Sequence, residues 1–203
     1  MRLDKPSRTS SPRRLGCLIE SAETLVLTIV IFWLMQTFVA QPFQVQQESM
    51  QPTLTEGEYV LVDKLTPRLA PYARGDIVIF RPHRQRATCE GEFEPLPGDS
   101  GIPFIKRVIG EPGDKLVIND GRVFVNGSEL RETYVSNGPV APDGQWDVAL
   151  DRLFLMGDNR PNSTDSRSSA IGPVCISDVI GRAWLRYWPV SRLSVIQRPT
   201  YAE

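Results

Sequence analysis

Residues 104–109 read Phe-Ile-Lys-Arg-Val-Ile, a run with the length and the β-favouring residues of a buried strand. Side chains alternate across a strand, so Phe104, Lys106 and Val108 share one face. An ammonium group among apolar neighbours loses hydration, which lowers a lysine pKa and favours the neutral amine. Lys106 is therefore a candidate proton acceptor near neutral pH. A lysine that snorkels to water at a strand end is the competing interpretation.

Further short apolar runs extend this strand pattern along the chain. Val179–Trp188 predicts one long strand with Gly181 as a possible bulge. Asn119-Asp120-Gly121 predicts a hairpin turn, because Asp-Gly tolerates the positive φ that a tight turn needs. The other predicted strands are Tyr59–Val62, Ile77–Phe80, Leu116–Ile118, Val123–Val125 and Leu153–Met156. Because no stretch after residue 42 shows helical periodicity over three turns, the fold class is mostly β, with coiled sheets or a barrel favoured over an open sandwich.

Two stretches interrupt the strands. Residues 82–103 are polar and rich in Gly and Pro, which predicts a long loop. Residues 126–150 are similar in character, and we expect a small subdomain or a flap over the sheet there.

The N-terminal region predicts one retained transmembrane helix. Residues 25–40 read LVLTIVIFWLMQTFVA, and extension back to Gly16 supplies the length that a hydrocarbon core of about 30 Å needs. A buried core helix would not be apolar on every face behind a polar tail. A removable signal peptide would need small residues at −1 and −3, and a cut after Ala40 would place Phe38 at −3.

Charge predicts the orientation of this helix and hence the organisation of the chain. Five basic residues precede it against one acid, Asp4, and the positive-inside rule then places the N-terminus in the cytoplasm. These basic residues are Arg2, Lys5, Arg8, Arg13 and Arg14. The prediction is a cytoplasmic tail over residues 1–14, an anchor over 15–41 and an extracytoplasmic domain over 42–203, which makes membrane lipid a partner.

Composition excludes some classes of function. The 23 basic and 24 acidic residues give a net charge of −1, which offers no basic excess for nucleic acid. One histidine and three cysteines without a CxxC spacing give no metal site, and we expect no cofactor. Cys17 lies in the apolar region, so only Cys89 and Cys175 could pair in an external domain, and the sequence leaves that question open.

Elimination narrows the candidates for a hydrolase. The single histidine, His83, lies in the polar loop among arginines, so a solvated loop residue is the better interpretation than a triad base. Among the few lysines, Lys64 and Lys115 lie at strand ends or turns. Ser49, before the turn Gln51-Pro52-Thr53, is a candidate nucleophile, although a turn serine alone is weak support.

Four ordered motifs behind the anchor are far more specific than any one residue. They are Ser49-Met50-x-Pro52-Thr53-Leu54, Arg74-Gly75-Asp76-Ile77-Val78, Ile105–Gly110 with Pro112-Gly113-Asp114, and Met156-Gly157-Asp158-Asn159 running on to Asn162-Ser163-x-Asp165-Ser166-Arg167. This set resembles the type I (leader) signal peptidases, and the similarity runs from the anchor to about Trp188. The resemblance implies a membrane-bound serine endopeptidase on a β-fold that removes signal peptides from exported preproteins, cutting after small residues at −1 and −3.

The resemblance also implies roles for individual residues. Ser49 falls on the family's nucleophile and Lys106 on its general base, in agreement with the elimination above; Ser–Lys pairs are a known variant of triad logic. Ser163 falls on the serine that orients the lysine amine. Asp165 and Arg167 fall on a pair that braces this segment beside the site.

The oxyanion site and the substrate pocket follow from the same resemblance. The Ser49 backbone N–H would be one oxyanion donor. Many members carry Ser or Gly two residues before the nucleophile, where this chain has Gln47, whose amide could donate in its place. The shallow pocket for a small side chain would be lined by Val45, Met50, Leu54 and Ile105.

Two other functions compete with general signal-peptide removal. One is a specialised peptidase of the same family with a narrow substrate range, which fold and dyad do not distinguish. The other is a non-catalytic, membrane-anchored β binding module, whose mark would be loss of Ser49, Lys106 or Ser163; all three are present.

Overall fold

A long apolar helix precedes the β-structure. In the computed structural model, which describes residues 13–82, 84, 88–90, 101–135 and 138–201, helix α1 spans Arg13–Leu34 and a π-helical turn follows over Met35–Val39. The segment Glu20–Val39 is long and apolar enough to cross a membrane, by length and composition. The hydroxyls of Thr24 and Thr28 donate to backbone carbonyls four residues earlier, so these polar groups are satisfied within the helix. The chain divides into two units after Val39.

The second unit is built on a large antiparallel sheet with strand order β1-β2-β11-β3-β4-β9-β10, in which β12 pairs with β11. Its strands are β1 (Ala40–Gln44), β2 (Tyr59–Asp63), β3 (Ile77–Phe80), β4 (Phe104–Gly110), β9 (Arg152–Met156), β10 (Val174–Cys175), β11 (Val179–Trp188) and β12 (Ser194–Val195). One short helix, α2 (Thr66–Leu69), follows β2. Single 3₁₀ turns lie at Glu48–Met50, Arg160–Asn162, Ile176–Asp178 and Val190–Arg192.

A smaller antiparallel sheet has the order β7-β6-β5-β8. Its strands are β5 (Lys115–Asn119), β6 (Arg122–Val125), β7 (Ser128–Glu129) and β8 (Gly144–Asp147). The predicted hairpin turn between β5 and β6 is confirmed, with φ of 50° at Asp120 and 75° at Gly121. The stretch 126–150, where we expected a small subdomain or a flap, contributes β7 and β8 to this sheet.

Apolar side chains form three buried clusters. One joins the small sheet to β4 and β9 through residues such as Leu116 and Phe154. The other two contain side chains from the large sheet, with Val60 and Ile105 in one and Val78 and Leu155 in the other. Strand β4 contributes to all three clusters, which explains why its side chains are so fully buried.

The mostly β fold predicted from the sequence is confirmed, including the β11 strand and a register shift between Val179 and Gly181. Strands β1 and β8 and the two-residue strands β7, β10 and β12 were not predicted. Ala40 and Gln41, placed at the end of the anchor by the sequence analysis, belong to β1. Pro42 lies within β1, which is an edge strand, where a missing N–H is tolerated.

A disulfide joins the segment before β4 to β10. Cys89 and Cys175 are bonded with a Cα–Cα distance of 5.7 Å, across a sequence separation of 86 residues. The pairing that the sequence left open is therefore present. His83 and most of the loop 82–103 lie outside the described residues.

Candidate active site

A buried hydroxyl in the turn after β1 contacts a buried amine within β4. Ser49 lies in the 3₁₀ turn after β1 and Lys106 lies within β4, with exposed fractions of 4% and 0%. The Lys106 Nζ lies 2.7 Å from Ser49 Oγ and 3.1 Å from the carbonyl oxygen of Ile105. The ring of Phe104, on the same face as predicted, has its centroid 5.1 Å from Nζ. The snorkelling interpretation is wrong, because the amine has no exposure to water.

Burial sets the protonation of this amine. It lowers the pKa of Lys106 to about 8; Asp165 and, more weakly, Asp158 offset part of the effect, and Arg167 adds to it. About a tenth of such groups are then neutral at pH 7, against less than one in a thousand for an exposed lysine. A neutral amine at this distance can accept the proton of the hydroxyl.

Hydrogen bonds from the segment after β9 hold the turn that carries Ser49. The backbone N–H of Asn159 donates to the carbonyl of Ser49 at 3.0 Å, and its side-chain amide donates to the carbonyl of Glu48 at 3.2 Å. On the other side, Val45 exchanges backbone hydrogen bonds with Glu58 and Gly57. The hydroxyl is therefore carried on backbone that is fixed from two sides.

Gly157 lies where a side chain would separate these segments. A Cβ added there would lie 2.5 Å from the carbonyl oxygen of Ser49 and 2.3 Å from Ser163 Oγ. No real Cβ contact is that short. Gly157 thus permits the close approach of the turn that carries Ser49 to the Ser163 segment.

Ser163 lies beside the Ser49–Lys106 pair, and its hydroxyl is hydrogen-bonded to Asp165. Its hydroxyl donates to Asp165 Oδ2 at 2.7 Å, whereas the described hydrogen bonds of Lys106 go to Ser49 and Ile105. In the described part of the chain, Ser163 thus has no hydrogen bond to Lys106.

Asp165 is a buried carboxylate surrounded by donors. It accepts two hydrogen bonds from the Arg167 guanidinium, both of 2.8 Å, and one from the Gly157 N–H. Burial alone would raise the pKa of Asp165, but these donors and Ser163 outweigh it and hold the pKa below its usual value. Asp165 is therefore ionised, and its carboxylate accepts hydrogen bonds from Ser163, Gly157 and Arg167.

Sequence reasoning missed a second buried ion pair behind the dyad. Arg107 donates to both carboxylate oxygens of Asp158 at 2.8 and 2.6 Å, and Thr53 Oγ1 donates to Asp158 at 2.6 Å. The guanidinium also lies 4.0 Å from the centroid of the Tyr134 ring. An arginine inside an apolar strand needs an acidic partner, and that signal was available in the run at 104–109. The pair ties the Ser49, Lys106 and Gly157 segments together.

The residues expected to line the substrate pocket come together in one apolar cluster. Val45, Met50, Leu54 and Ile105 are each at most 3% exposed. Gln47, which the resemblance suggests as an oxyanion donor, is exposed and has extended backbone (φ −136°, ψ 154°). Its side chain makes no capping hydrogen bond to the turn.

The described residues contain no group of three or more His, Cys, Asp and Glu side chains that could hold a metal ion.

A serine hydroxyl against a buried lysine on a β scaffold is the arrangement of hydrolases in which lysine replaces the histidine base. The family model "Signal peptidase, peptidase S26" matches residues 18–188. Signal peptidase I of Leptolyngbya laminosa is 37% identical over 193 residues, covering 94% of this chain and 89% of that protein. Signal peptidase I P of Bacillus subtilis subsp. natto is 30% identical over 191 residues, covering 89% and 95%. The chain therefore belongs to the signal peptidase family, peptidase S26, and is an enzyme of the signal peptidase I kind; the resemblance seen in its motifs is confirmed.

A solved structure is also similar in part. Signal peptidase I from Enterococcus faecalis V583 is 28% identical, covers 56% of this chain and 97% of its own, and superposes with a TM-score of 0.42.

Proposed function

We propose that this enzyme removes signal peptides from exported preproteins with Ser49 as nucleophile and Lys106 as general base. The observation that carries the proposal is the 2.7 Å contact between Ser49 Oγ and an amine with no exposure to water. Family membership supplies the substrate class, and the geometry supports the assignment of the two roles.

The reaction follows from this contact in two halves. Neutral Lys106 takes the Ser49 proton as Oγ attacks the scissile carbonyl, and the resulting ammonium gives that proton to the leaving amine as the C–N bond breaks. Water then gives a proton to Lys106 and attacks the acyl-enzyme ester. Collapse of this second intermediate returns the proton to Ser49 and releases the signal peptide with a free carboxylate.

The oxyanion of each tetrahedral intermediate needs donors beside Ser49. The Ser49 backbone N–H is one, and we assign the second to the side-chain amide of Gln47, which is exposed and uncommitted to the turn. Removal of one such donor costs about 10²–10³ in rate in other enzymes.

Ser163 is proposed to orient the lysine amine. The Asp165 carboxylate fixes the Ser163 hydroxyl at 2.7 Å, and Arg167 fixes Asp165 in turn. This arrangement places a polar group beside the dyad without leaving a buried charge unpaired.

The substrate side chains are proposed to rest on Val45, Met50, Leu54 and Ile105. These side chains are at most 3% exposed and belong to one packed cluster, which would form the floor of the substrate site. Small residues at −1 and −3 would fit such a floor and large ones would not. The peptide backbone would add as an extended strand along Val45–Ser49.

We further propose that Glu20–Val39 anchors the enzyme in a membrane, with the N-terminus cytoplasmic and residues 42–203 on the extracytoplasmic side. The apolar helix is compatible with an anchor, and the basic residues before it favour this orientation. The lipid is thus a partner, beside the preprotein.

Cleavage of a purified preprotein by the full-length enzyme in lipid tests the proposal. We expect a cut after a small residue with the wild type, and a loss of at least about 10³-fold in kcat with Ser49→Ala or Lys106→Ala. Ser128→Ala and Lys115→Ala, at exposed positions of the small sheet, are matched controls that should keep full activity. Near-normal activity of Lys106→Ala would show that another group is the base.

A further inference from the structure

The last described residues of the chain run from the large sheet to the small sheet. We call residues 196–201, which follow β12, the C-terminal strap. Ile196 packs on the apolar cluster that contains Ile105, and its N–H donates to the carbonyl of Trp184 at 2.8 Å. Tyr201 packs on the cluster that joins the small sheet to β4 and β9. The strap has no regular secondary structure, so side-chain contacts determine its course.

An ion pair attaches the middle of the strap to the residue before β3. Arg198 donates from Nε and Nη2 to the two carboxylate oxygens of Asp76, the second bond being 2.9 Å long. The Asp76 side chain is 2% exposed and that of Arg198 is 45% exposed. The arginine therefore covers a buried carboxylate.

Beyond this ion pair, the strap lies against Gly75. A Cβ built on Gly75 would lie 2.8 Å from Pro199 Cδ and 3.3 Å from Tyr201 Cε2, so only a glycine leaves room for the strap. The carbonyl of Gly75 accepts a hydrogen bond of 2.9 Å from Arg107 Nη1. The strap thus contacts the backbone that holds the Arg107 guanidinium.

Tyr201 completes the surroundings of Arg107 through Tyr134. The guanidinium lies on the Tyr134 ring, and the Tyr201 ring meets that ring edge to face with centroids 6.5 Å apart. The two hydroxyl oxygens are 3.1 Å apart, and Tyr134 donates its proton to Glu132 at 2.6 Å. Because a hydroxyl has one proton, Tyr201 is the donor to Tyr134. The strap therefore ends in a hydrogen-bonded chain that leads to Glu132, the partner of Arg160.

Arg107 links the strap to the dyad. It follows Lys106 on β4, and its partner Asp158 lies in the segment that holds the Ser49 carbonyl. Both side chains of this ion pair are at most 3% exposed. The attraction between two charges weakens as the effective dielectric constant rises. Loss of the aromatic ring at the end of the strap would admit water to the guanidinium and loosen the pair.

We propose that the C-terminal strap positions the dyad, with Tyr201 as its positioning residue. The strap covers the Arg107–Asp158 pair and thereby keeps the nucleophile and the base at reacting distance. The proposal rests on the roles given to these two groups under the proposed function. Because the apolar floor for the substrate is formed by other residues, loss of the strap should lower kcat and leave KM unchanged.

Cleavage of a preprotein by full-length variants in lipid tests the proposal. Tyr201→Ala should lower kcat at least tenfold and change KM less than twofold, because small displacements of reacting groups are costly. Tyr201→Phe, which keeps the ring over the pair, should retain at least a third of the wild-type kcat. Trp146→Ala is the matched control, since it removes another half-buried aromatic ring of the same cluster, one that packs on Phe154. Its kcat should stay within twofold of the wild type, even where its Tm falls as far as that of Tyr201→Ala.

A second variant releases the strap at its middle. Arg198→Gln removes the ion pair with Asp76 and leaves the groups around Arg107 in place. We expect kcat to fall at least threefold with KM again unchanged. Arg122→Gln, at an exposed ion pair of the small sheet, should change neither. All rates are compared about ten degrees below the lowest Tm, so that unfolding does not contribute, and Arg198→Gln decides alone if Tyr201→Ala does not fold.

The outcomes separate the strap from the proposed function. A wild-type kcat in Tyr201→Ala or Arg198→Gln, a KM that rises as kcat falls, or an equal loss of kcat in Trp146→Ala would overturn the role of the strap while the proposed function stands. A wild type that cuts no preprotein would overturn the proposed function itself.

Discussion

Under the proposed function, the chemistry of this enzyme depends on a lysine that the fold keeps from water. Lys106 shares the interior of β4 with Ile105 and Val108, and burial lowers its pKa to about 8. The same burial that makes the amine a base makes its charged form costly. Replacement of Lys106 by an apolar residue should therefore remove activity and increase the free energy of unfolding.

The pH dependence of cleavage should report the amine. Only the neutral form accepts the Ser49 proton, so kcat/KM should rise with pH and level off above about pH 8. Because Asp165 raises the pKa of Lys106 and Arg167 lowers it, Asp165→Asn should move the midpoint to lower pH. Initial rates between pH 6 and 10 measure both midpoints, and an unchanged midpoint in the variant would contradict the assignment.

The free energy of unfolding should also rise with pH, over a window set by the same amine. The folded pKa lies below that of the unfolded chain, so the unfolded state binds more protons between about pH 8 and 10.5, and stability rises with pH in that window. The full cost of the buried amine is present below about pH 8. Lys106→Met should thus stabilise the inactive enzyme by about 2–3 kcal/mol at pH 7, and by less at pH 10.

Denaturation of the Lys106→Met variant and the wild type at both pH values, in the same detergent, gives the comparison. A variant that is less stable than the wild type at pH 7 would mean that the Ser49 contact outweighs the desolvation of the amine.

Gly157 offers a test of the close approach between segments. In Gly157→Ala the new methyl would meet the Ser49 carbonyl oxygen and Ser163 Oγ, so the nucleophile's turn must shift. A misplacement of about 1 Å at a reacting group can cost about 10² in rate. We expect kcat to fall by at least that factor. Gly127→Ala, where an added Cβ meets nothing within 4 Å but the φ of 84° strains an alanine, is the control for backbone strain without a clash.

At the scale of elements, an ion pair binds the loop after β9 to the segment after β7. Arg160, with a side chain that is 0% exposed, makes two hydrogen bonds of 2.5 Å to Glu132 and donates to the carbonyl of Gly157 at 2.9 Å. The segment after β7 therefore holds the loop that carries Ser163.

Glu132→Gln should leave the buried Arg160 charge without its partner and cost about 3–5 kcal/mol of stability. Glu129→Gln, whose partner Arg122 lies 3.6 Å away and is 63% exposed, should cost less than about 1 kcal/mol. Chemical denaturation of the two variants measures the difference. Similar losses in both would show that burial does not decide the value of the Arg160 pair.

Strands were predicted correctly where the sequence has a short apolar run of β-favouring residues. They were missed where other contacts define the strand. The runs at Ile77–Phe80 and Val179–Trp188 were predicted with the bounds observed. β8 (Gly144–Asp147) was missed, because it is half polar and contributes mainly Trp146 to the core. Lys106 was accessible as a candidate from the sequence because it is a lysine in an apolar run, whereas Ser49 needed the resemblance of the ordered motifs. The Arg107–Asp158 pair joins positions 51 residues apart, and pairing over that distance needs the fold.

At the scale of the whole molecule, the disulfide restrains a long stretch of chain. Cys89 and Cys175 close a loop that contains β4 to β10. Cross-links over such separations typically stabilise by about 2–5 kcal/mol, because they restrict the unfolded chain. The Cys89→Ala/Cys175→Ala variant should therefore lose stability within this range.

Thermal unfolding of that variant and of the wild type, each with and without reductant, checks this prediction. Reductant should lower the Tm of the wild type toward that of the variant and leave the variant unchanged. A wild type and a variant with equal Tm under oxidising conditions would contradict it.

The sheet begins directly where the apolar helix ends, since β1 starts at Ala40 and the π-helical turn stops at Val39. Ser49 comes nine residues after Ala40, and even a fully extended chain spans only about 30 Å over that length. With the helix in a bilayer, as proposed, the enzyme searches for its substrate by lateral diffusion in two dimensions. Its rate should then follow the number of preproteins per unit area of membrane, and dilution of the vesicles at constant lipid composition should leave turnover of co-reconstituted substrate unchanged.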